Sequence, residues 1–98
     1  MAEHLIVIAY LTARAGKEDG ARKMLQALVA PTRVEAGCIT YGLHEMHGDA
    51  TRFLFYEIWR SAADLEAHSK SAHMMAFREI RAEFLSGPTE LTKWRKIE

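Results

Sequence analysis

His68 and His73, five residues apart, are the groups in this chain best suited to proton chemistry. Imidazole has an unperturbed pKa of about 6.5, so near neutrality it can take a proton from a phenol or quinol. On an unbroken helix the two rings would diverge by about 140°, five steps of roughly 100°. The Ser69-Lys70-Ser71 interruption could bring both toward one side. Each ring could equally cap a helix or pack against a sheet. Glu57 is a carboxylate inside the apolar run Phe53 to Trp59. It needs a partner or a raised pKa. It could orient a histidine; the plainer expectation is an ion pair with an arginine such as Arg33. Tyr41, Phe53, Phe55, Trp59 and Phe77 could form a wall on which a flat aromatic molecule stacks, or ordinary core. A buried Tyr41 hydroxyl would need a partner and could donate to a substrate.

The remaining reactive side chains carry less. His44 and His47 form a His-x-x-His pair, but on a strand they face opposite sides and no third ligand is near, so no metal site is expected. His4 is expected to be exposed at a strand start. Cys38, the lone cysteine, is expected to be a small packing residue; one thiol makes no internal disulfide. There is no nucleophile elbow, phosphate-binding glycine loop or zinc signature.

These side chains must be positioned by a short set of elements. Residues 4–13 are a β-run rich in branched residues and apolar on both faces: Leu5, Val7, Ala9 and Leu11 on one, Ile6, Ile8 and Tyr10 on the other. After a turn at Gly16, Lys17 to Arg33 reads as a helix with Ala21, Met24, Leu25, Leu28 and Val29 in one stripe. Pro31 perturbs its last turn and Gly37 closes it. Residues 38–46 and 52–60 are strands joined as a hairpin across residues 47–50. Setting Met46 opposite Arg52 puts Ile39, Tyr41 and Leu43 on one face with Phe53, Phe55, Glu57 and Trp59. Ser61 caps a helix from Ala62 to about His68. A second helix runs to Leu85 with His73, Phe77, Ile80 and Phe84 in its stripe, and Ser86-Gly87-Pro88 stops it. Residues 89–97 form a fourth strand carrying Leu91, Trp94 and Ile97. The order β-α-β-β-α-β predicts an α+β, ferredoxin-like sandwich in one domain, 1–98.

The chain has 98 residues, 49% hydrophobic and 27% charged, with 13 basic and 13 acidic residues. That is a globular composition without the basic excess of a nucleic-acid binder. No apolar run approaches the length of a membrane span, and Met1 to His4 lacks the basic start of a signal peptide. A cytoplasmic setting is expected, with no nucleic-acid or membrane partner. Two helical segments cover only one face of a four-stranded sheet. The second face carries Ile6, Ile8, Tyr10, Leu54, Tyr56 and Ile58, a large patch to leave open. A homodimer, sheet against sheet, is the expected solution.

Three segments, in this order, resemble the antibiotic biosynthesis monooxygenase family, and its quinol monooxygenase branch in particular. They are Pro-Thr-Arg-Val-Glu-Ala-Gly-Cys-Ile-Thr-Tyr (31–41), Phe-Tyr-Glu-Ile-Trp (55–59) and Leu-Glu-Ala-His-Ser-Lys-Ser-Ala-His-Met-Met-Ala-Phe (65–77). The resemblance covers nearly the whole chain. It implies a dimeric α+β barrel with a pocket between helices and sheet in each subunit. It also implies oxygenation of an electron-rich aromatic by molecular oxygen without metal, flavin or other cofactor. Carried over by motif, His68 and His73 become the candidate catalytic residues. Trp59, Tyr41, Glu57, Phe55 and Phe77 become candidate substrate contacts. Relatives often have proline where this chain has Ala72, so the helix break must rest on Ser69 and Ser71.

The family is diverse, and fold alone does not choose among its activities. Haem-degrading relatives use Asn, Trp and His together, and this chain has no asparagine. An isomerase of a small phosphorylated, carbohydrate-like substrate would want convergent cations, and none is evident in the sequence. A non-catalytic ligand-binding or structural dimer is the third alternative.

Overall fold

Val7, Ala9, Leu11 and Ala13 are buried and the residues between them only half covered, so β1 (Leu5–Ala13) has one face under helices and one open. The computed structural model describes residues 3–98. The expectation that Met1 to His4 is not a leader falls partly on Met1 and Ala2, outside the described residues. After β1 come α1 (Glu18–Gln26), α2 (Val29–Arg33), β2 (Cys38–Met46), β3 (Asp49–Trp59), α3 (Ala62–Ser69), α4 (Ala72–Phe84) and β4 (Leu85–Trp94). The antiparallel sheet has the order β2-β3-β1-β4, the ferredoxin-like arrangement. The helices lie on one face, over a core that includes Val7, Leu11, Ala21, Leu25, Phe53 and Trp59.

Four expectations are corrected. The helix expected over 17–33 is two helices, broken at Ala27 and Leu28. Pro31 explains the position of the break. It has no N–H to offer the Ala27 carbonyl, and its ring clashes with the carbonyl four residues back.

The expected hairpin register holds from Thr40 opposite Ile58 to Glu45 opposite Phe53, but both ends depart from it. At the turn, β3 starts at Asp49 and pairs it with Met46, so the connection is only His47-Gly48, with Gly48 at φ 83°. At the other end Cys38, not Ile39, lies opposite Trp59. Ile39 is the extra residue of a bulge and is exposed, off the face it was expected to share.

The third correction is at the C-terminal helix, which ends at Phe84 and passes directly into β4 without a separate stop. Ser86-Gly87-Pro88 lies within the strand, at an irregularity between the pairings of Tyr10 and Thr12, with Gly87 at φ 67°. Pro88 is tolerated because β4 is an edge strand. The strand ends at Trp94, leaving Ile97 beyond it and exposed. Finally, Ile80 lies on the solvent side of α4, while Phe77 is buried.

Opposite the helices, Ile6 pairs with Ile58 and Trp94, Ile8 with Tyr56, and Tyr10 with Leu54. Tyr56 is 37% and Trp94 55% exposed, and the whole apolar face lacks a covering layer. Among the described residues, no helix is long and apolar enough to cross a membrane.

Candidate active site

The break between α3 and α4 is built by Ser71. Its hydroxyl donates to the His68 carbonyl at 2.7 Å and caps α4 by accepting from the Met74 N–H. Ala72 is the first residue of α4, the helical position proline favours, so the serine cap maintains the break without it. The chain therefore turns between the two histidines, and their rings lie 5.9 Å apart.

Both rings meet one carboxylate. His68 Nδ1 donates to Glu35 Oε2 at 2.7 Å, and His73 Nε2 lies 2.9 Å from the same oxygen. Thr32 Oγ1 is 3.1 Å and Ser71 Oγ 3.3 Å from His73 Nε2. Glu35 is held in the turn after α2, where its N–H bonds the Thr32 carbonyl and its carbonyl accepts from Cys38 N–H. Glu35 was not among the expected site residues. The available signal was that it is the sole acid in the segment 31–41, just before Gly37.

Glu35, His68 and His73 could each offer a ligand atom to a metal ion, all within 4.8 Å of one another. This is a different group from His44 and His47; His44 instead bonds its own strand at the Gly42 carbonyl. Ligands around a shared tetrahedral ion of zinc size stand roughly 3.3–3.6 Å apart, from bond lengths of about 2.0–2.2 Å. The separations of 2.7 and 2.9 Å are those of hydrogen bonds.

His68 is 4% exposed and lines a cavity of about 660 Å³ between the helices and the sheet. Among the described residues its Nε2 has no hydrogen-bond partner, and no buried side-chain polar atom is left unpaired. Nε2 is therefore the atom of the ring that reaches open space. With Nδ1–H committed to Glu35, Nε2 carries the lone pair. Burial pulls the His68 pKa down, against the raising effect of its bond to Glu35. The ring is therefore neutral and basic at neutral pH.

Tyr41, Phe55, Glu57 and Phe77 line the same cavity. Tyr41 stacks on Phe55 at 4.6 Å and meets His68 edge-on at 5.6 Å. Burial is the main cause that raises its phenol pKa, so the hydroxyl remains a donor. The expected Glu57–Arg33 pair is not formed: Arg33 Nε donates to the Tyr41 carbonyl, and Glu57 Oε1 accepts from Trp59 Nε1 at 2.8 Å. Nor does Glu57 orient a histidine; Glu35 has that place. Burial pushes the Glu57 pKa up to about 7, with a smaller raising effect from Glu35 and the indole bond opposing.

Trp59 and His73 are not on the cavity wall. Trp59 is fully buried behind it, its ring 4.7 Å from His68. Cys38 packs against the core, and burial raises its thiol pKa, away from nucleophilic use. The sequence shows no sign of cations around the pocket, and the structure brings three to its lining. Arg78, Arg81 and Lys93 all line the cavity, two from α4 and one from β4.

Residues 4–80 match the antibiotic biosynthesis monooxygenase family. A protein of Mycobacterium tuberculosis named "Putative monooxygenase Rv0793" is 33% identical over 92 residues, 94% of this chain and 90% of that protein. "Uncharacterized protein sll1783" of Synechocystis is 28% identical over 94 residues; they make up 96% of this chain but span 64% of that protein's length. Among solved structures, PA3566 from Pseudomonas aeruginosa shares the fold with a TM-score of 0.95 and 34% identity, covering 100% of this chain and 98% of its own.

Proposed function

The chain belongs to the antibiotic biosynthesis monooxygenase family, and from that premise we propose a cofactor-independent monooxygenase acting on a quinol or similar hydroxylated aromatic. The observation that carries this reading is the Glu35–His68 pair, whose free imidazole nitrogen reaches an aromatic-lined cavity. Triplet oxygen reacts slowly with closed-shell molecules. A deprotonated hydroquinone is electron-rich enough to pass it one electron directly. The protein then needs a base, a dry pocket and correct placement.

In this proposal His68 Nε2 takes the phenolic proton, and Glu35 holds Nδ1–H and stabilises the imidazolium, as a carboxylate does for a catalytic histidine. The substrate anion and oxygen combine through a radical pair to a hydroperoxide. Loss of water leaves a carbonyl on the ring: one oxygen atom stays, and the other departs with the two hydrogens the substrate gives up. Tyr41 and Phe55 place the ring. Glu57, protonated over part of the neutral range, can donate to a substrate or peroxide oxygen. Phe77 closes the helical side. His73 acts as a second donor to Glu35, and Trp59 as a positioning residue through Glu57.

The working unit in this proposal is a cytoplasmic homodimer that covers the apolar face around Ile8, Tyr56 and Ile58. The activity test is oxygen uptake with menadiol and related quinols, corrected for enzyme-free auto-oxidation. Uptake above that background, lost in His68→Gln, is expected. No excess across a quinol panel would overturn the reading.

A further inference from the structure

The deep part of the cavity and its remaining polar lining differ in chemistry. His68, Tyr41, Phe55 and Glu57 supply an aromatic and proton-handling floor. Arg78 and Arg81, three residues apart and so on one side of α4, add two guanidinium groups. Lys93 adds an ammonium from β4, on the sheet face shared with Val7, its pairing partner on β1. Among the described residues none of these three forms an ion pair. Arg81 is aligned over the Phe77 ring at 5.8 Å and donates to Thr89 Oγ1 at 3.2 Å. Arg78 is fixed by a hydrogen bond to the Ser69 carbonyl. The one exposed carboxylate of the lining, Glu66, is engaged by Lys70 at 3.2 Å.

Arg81 is half-buried, and Arg78 and Lys93 are exposed at the rim. A neutral aromatic in this cavity would cover part of the Arg81 guanidinium and offer no charge to any of the three. A ligand with a negative group at the end remote from its reacting hydroxyl would meet them. Guanidinium groups suit a carboxylate because they offer paired, planar donors.

We propose that the cavity selects a hydroxylated aromatic acid, its ring and hydroxyl toward His68 and its carboxylate among Arg78, Arg81 and Lys93. This rests on the proposed function for the role of the hydroxyl, while the charge selection stands on the cation set alone.

The test uses two redox-stable probes of one shape, 6-hydroxy-2-naphthoate and 2-naphthol, titrated calorimetrically into the full-length protein. The acid should bind more than about tenfold tighter than the naphthol at low salt, the range of charge-assisted hydrogen bonds. Added salt should shrink that margin. Arg81→Gln with Lys93→Gln should remove most of it and leave 2-naphthol affinity unchanged. Neither residue bonds a backbone group, so this pair spares the α3–α4 link that Arg78 supports. Equal affinity for the two probes, or a preference that survives the double substitution, would overturn the proposal. Inorganic phosphate binding as tightly as the aromatic acid would also overturn it, since the ring would then contribute nothing. Preferential, cation-dependent binding of the acid with no oxidation of any quinol would uphold this proposal and defeat the monooxygenase reading separately.

Discussion

Replacing Glu57 by glutamine keeps an acceptor for the Trp59 indole N–H and removes a titrating carboxyl. Glu57 is 4% exposed, and burial, its leading cause, raises its pKa from 4.5 to about 7. The folded chain thus holds this proton more tightly than the unfolded chain does. The stability contributed by the group is fully present below the unfolded value and is lost as pH rises through about 7. At about 1.4 kcal/mol per pKa unit, the loss between about pH 5 and pH 8 is on the order of 2–3 kcal/mol. For a domain of this size that corresponds to roughly 10–20 °C in Tm. Wild type should therefore lose that much relative to Glu57→Gln when both are melted across this range at equal protein concentration. His68 titrates with the opposite sign: its lowered pKa gives stability that grows as pH rises. That contribution is common to both proteins, and Glu57 is not among the causes of the His68 shift. The difference between the two curves therefore isolates Glu57. Scanning calorimetry in matched buffers is the assay. Parallel curves would show that Glu57 keeps an ordinary pKa in the fold and would refute its use as a proton donor near neutrality.

The remaining predictions concern the base, the turn and the open face. His68→Gln should cut kcat by about 10²–10⁴-fold, the usual range for a general base, with substrate binding retained; loss of less than tenfold would remove His68 from that role. Because burial lowers the His68 pKa, the activity of the wild type should persist below the ordinary imidazole value and fall only as pH drops through the lowered one, while Glu35→Gln should change this limb. Gly37→Ala should cost about 1–3 kcal/mol in urea unfolding, since its Cβ would meet the Asp64 side chain held by Arg60 and Ser61. Ile8→Glu, at the centre of the uncovered sheet face, should turn a dimer into a monomer by light scattering; a monomeric wild type at micromolar concentration would defeat the dimer outright.

The fold was legible because its signals are local. The branched apolar run in residues 4–13, the 38–46 strand and the Ser61 cap each depend on a few neighbours, and the structure has all three. The errors fall where a distant or covalent constraint wins. Pro31 acts four residues upstream of itself, and Ser86-Gly87-Pro88 looks like a helix stop until β1 pairs across it. The site was less legible. Glu35 meets His68 across 33 residues and His73 across 38, with no spacing to announce it. Arg78 and Arg81 look like the solvated face of a helix until β4 brings Lys93 to the same cavity. Motif likeness placed Trp59 in the pocket; it is fully buried behind the cavity wall and donates to Glu57.

One physical cause accounts for the readiness of this cavity for proton transfer. Low-dielectric surroundings disfavour charge whatever its sign. On His68 that means a lowered pKa, so the ring is an unprotonated base. On Glu57 it means a raised pKa, so the carboxyl stays an acid well above its usual range. The hydrogen bonds oppose burial in both cases: Glu35 favours the imidazolium, and the Trp59 indole favours the carboxylate. Each partner thus stabilises the form its residue reaches after the proton has moved, not the form it starts from. A charge that develops on His68 when it accepts a proton, or on Glu57 when it gives one, meets a partner already aimed at it. That is the preorganisation the proposed reaction would draw on.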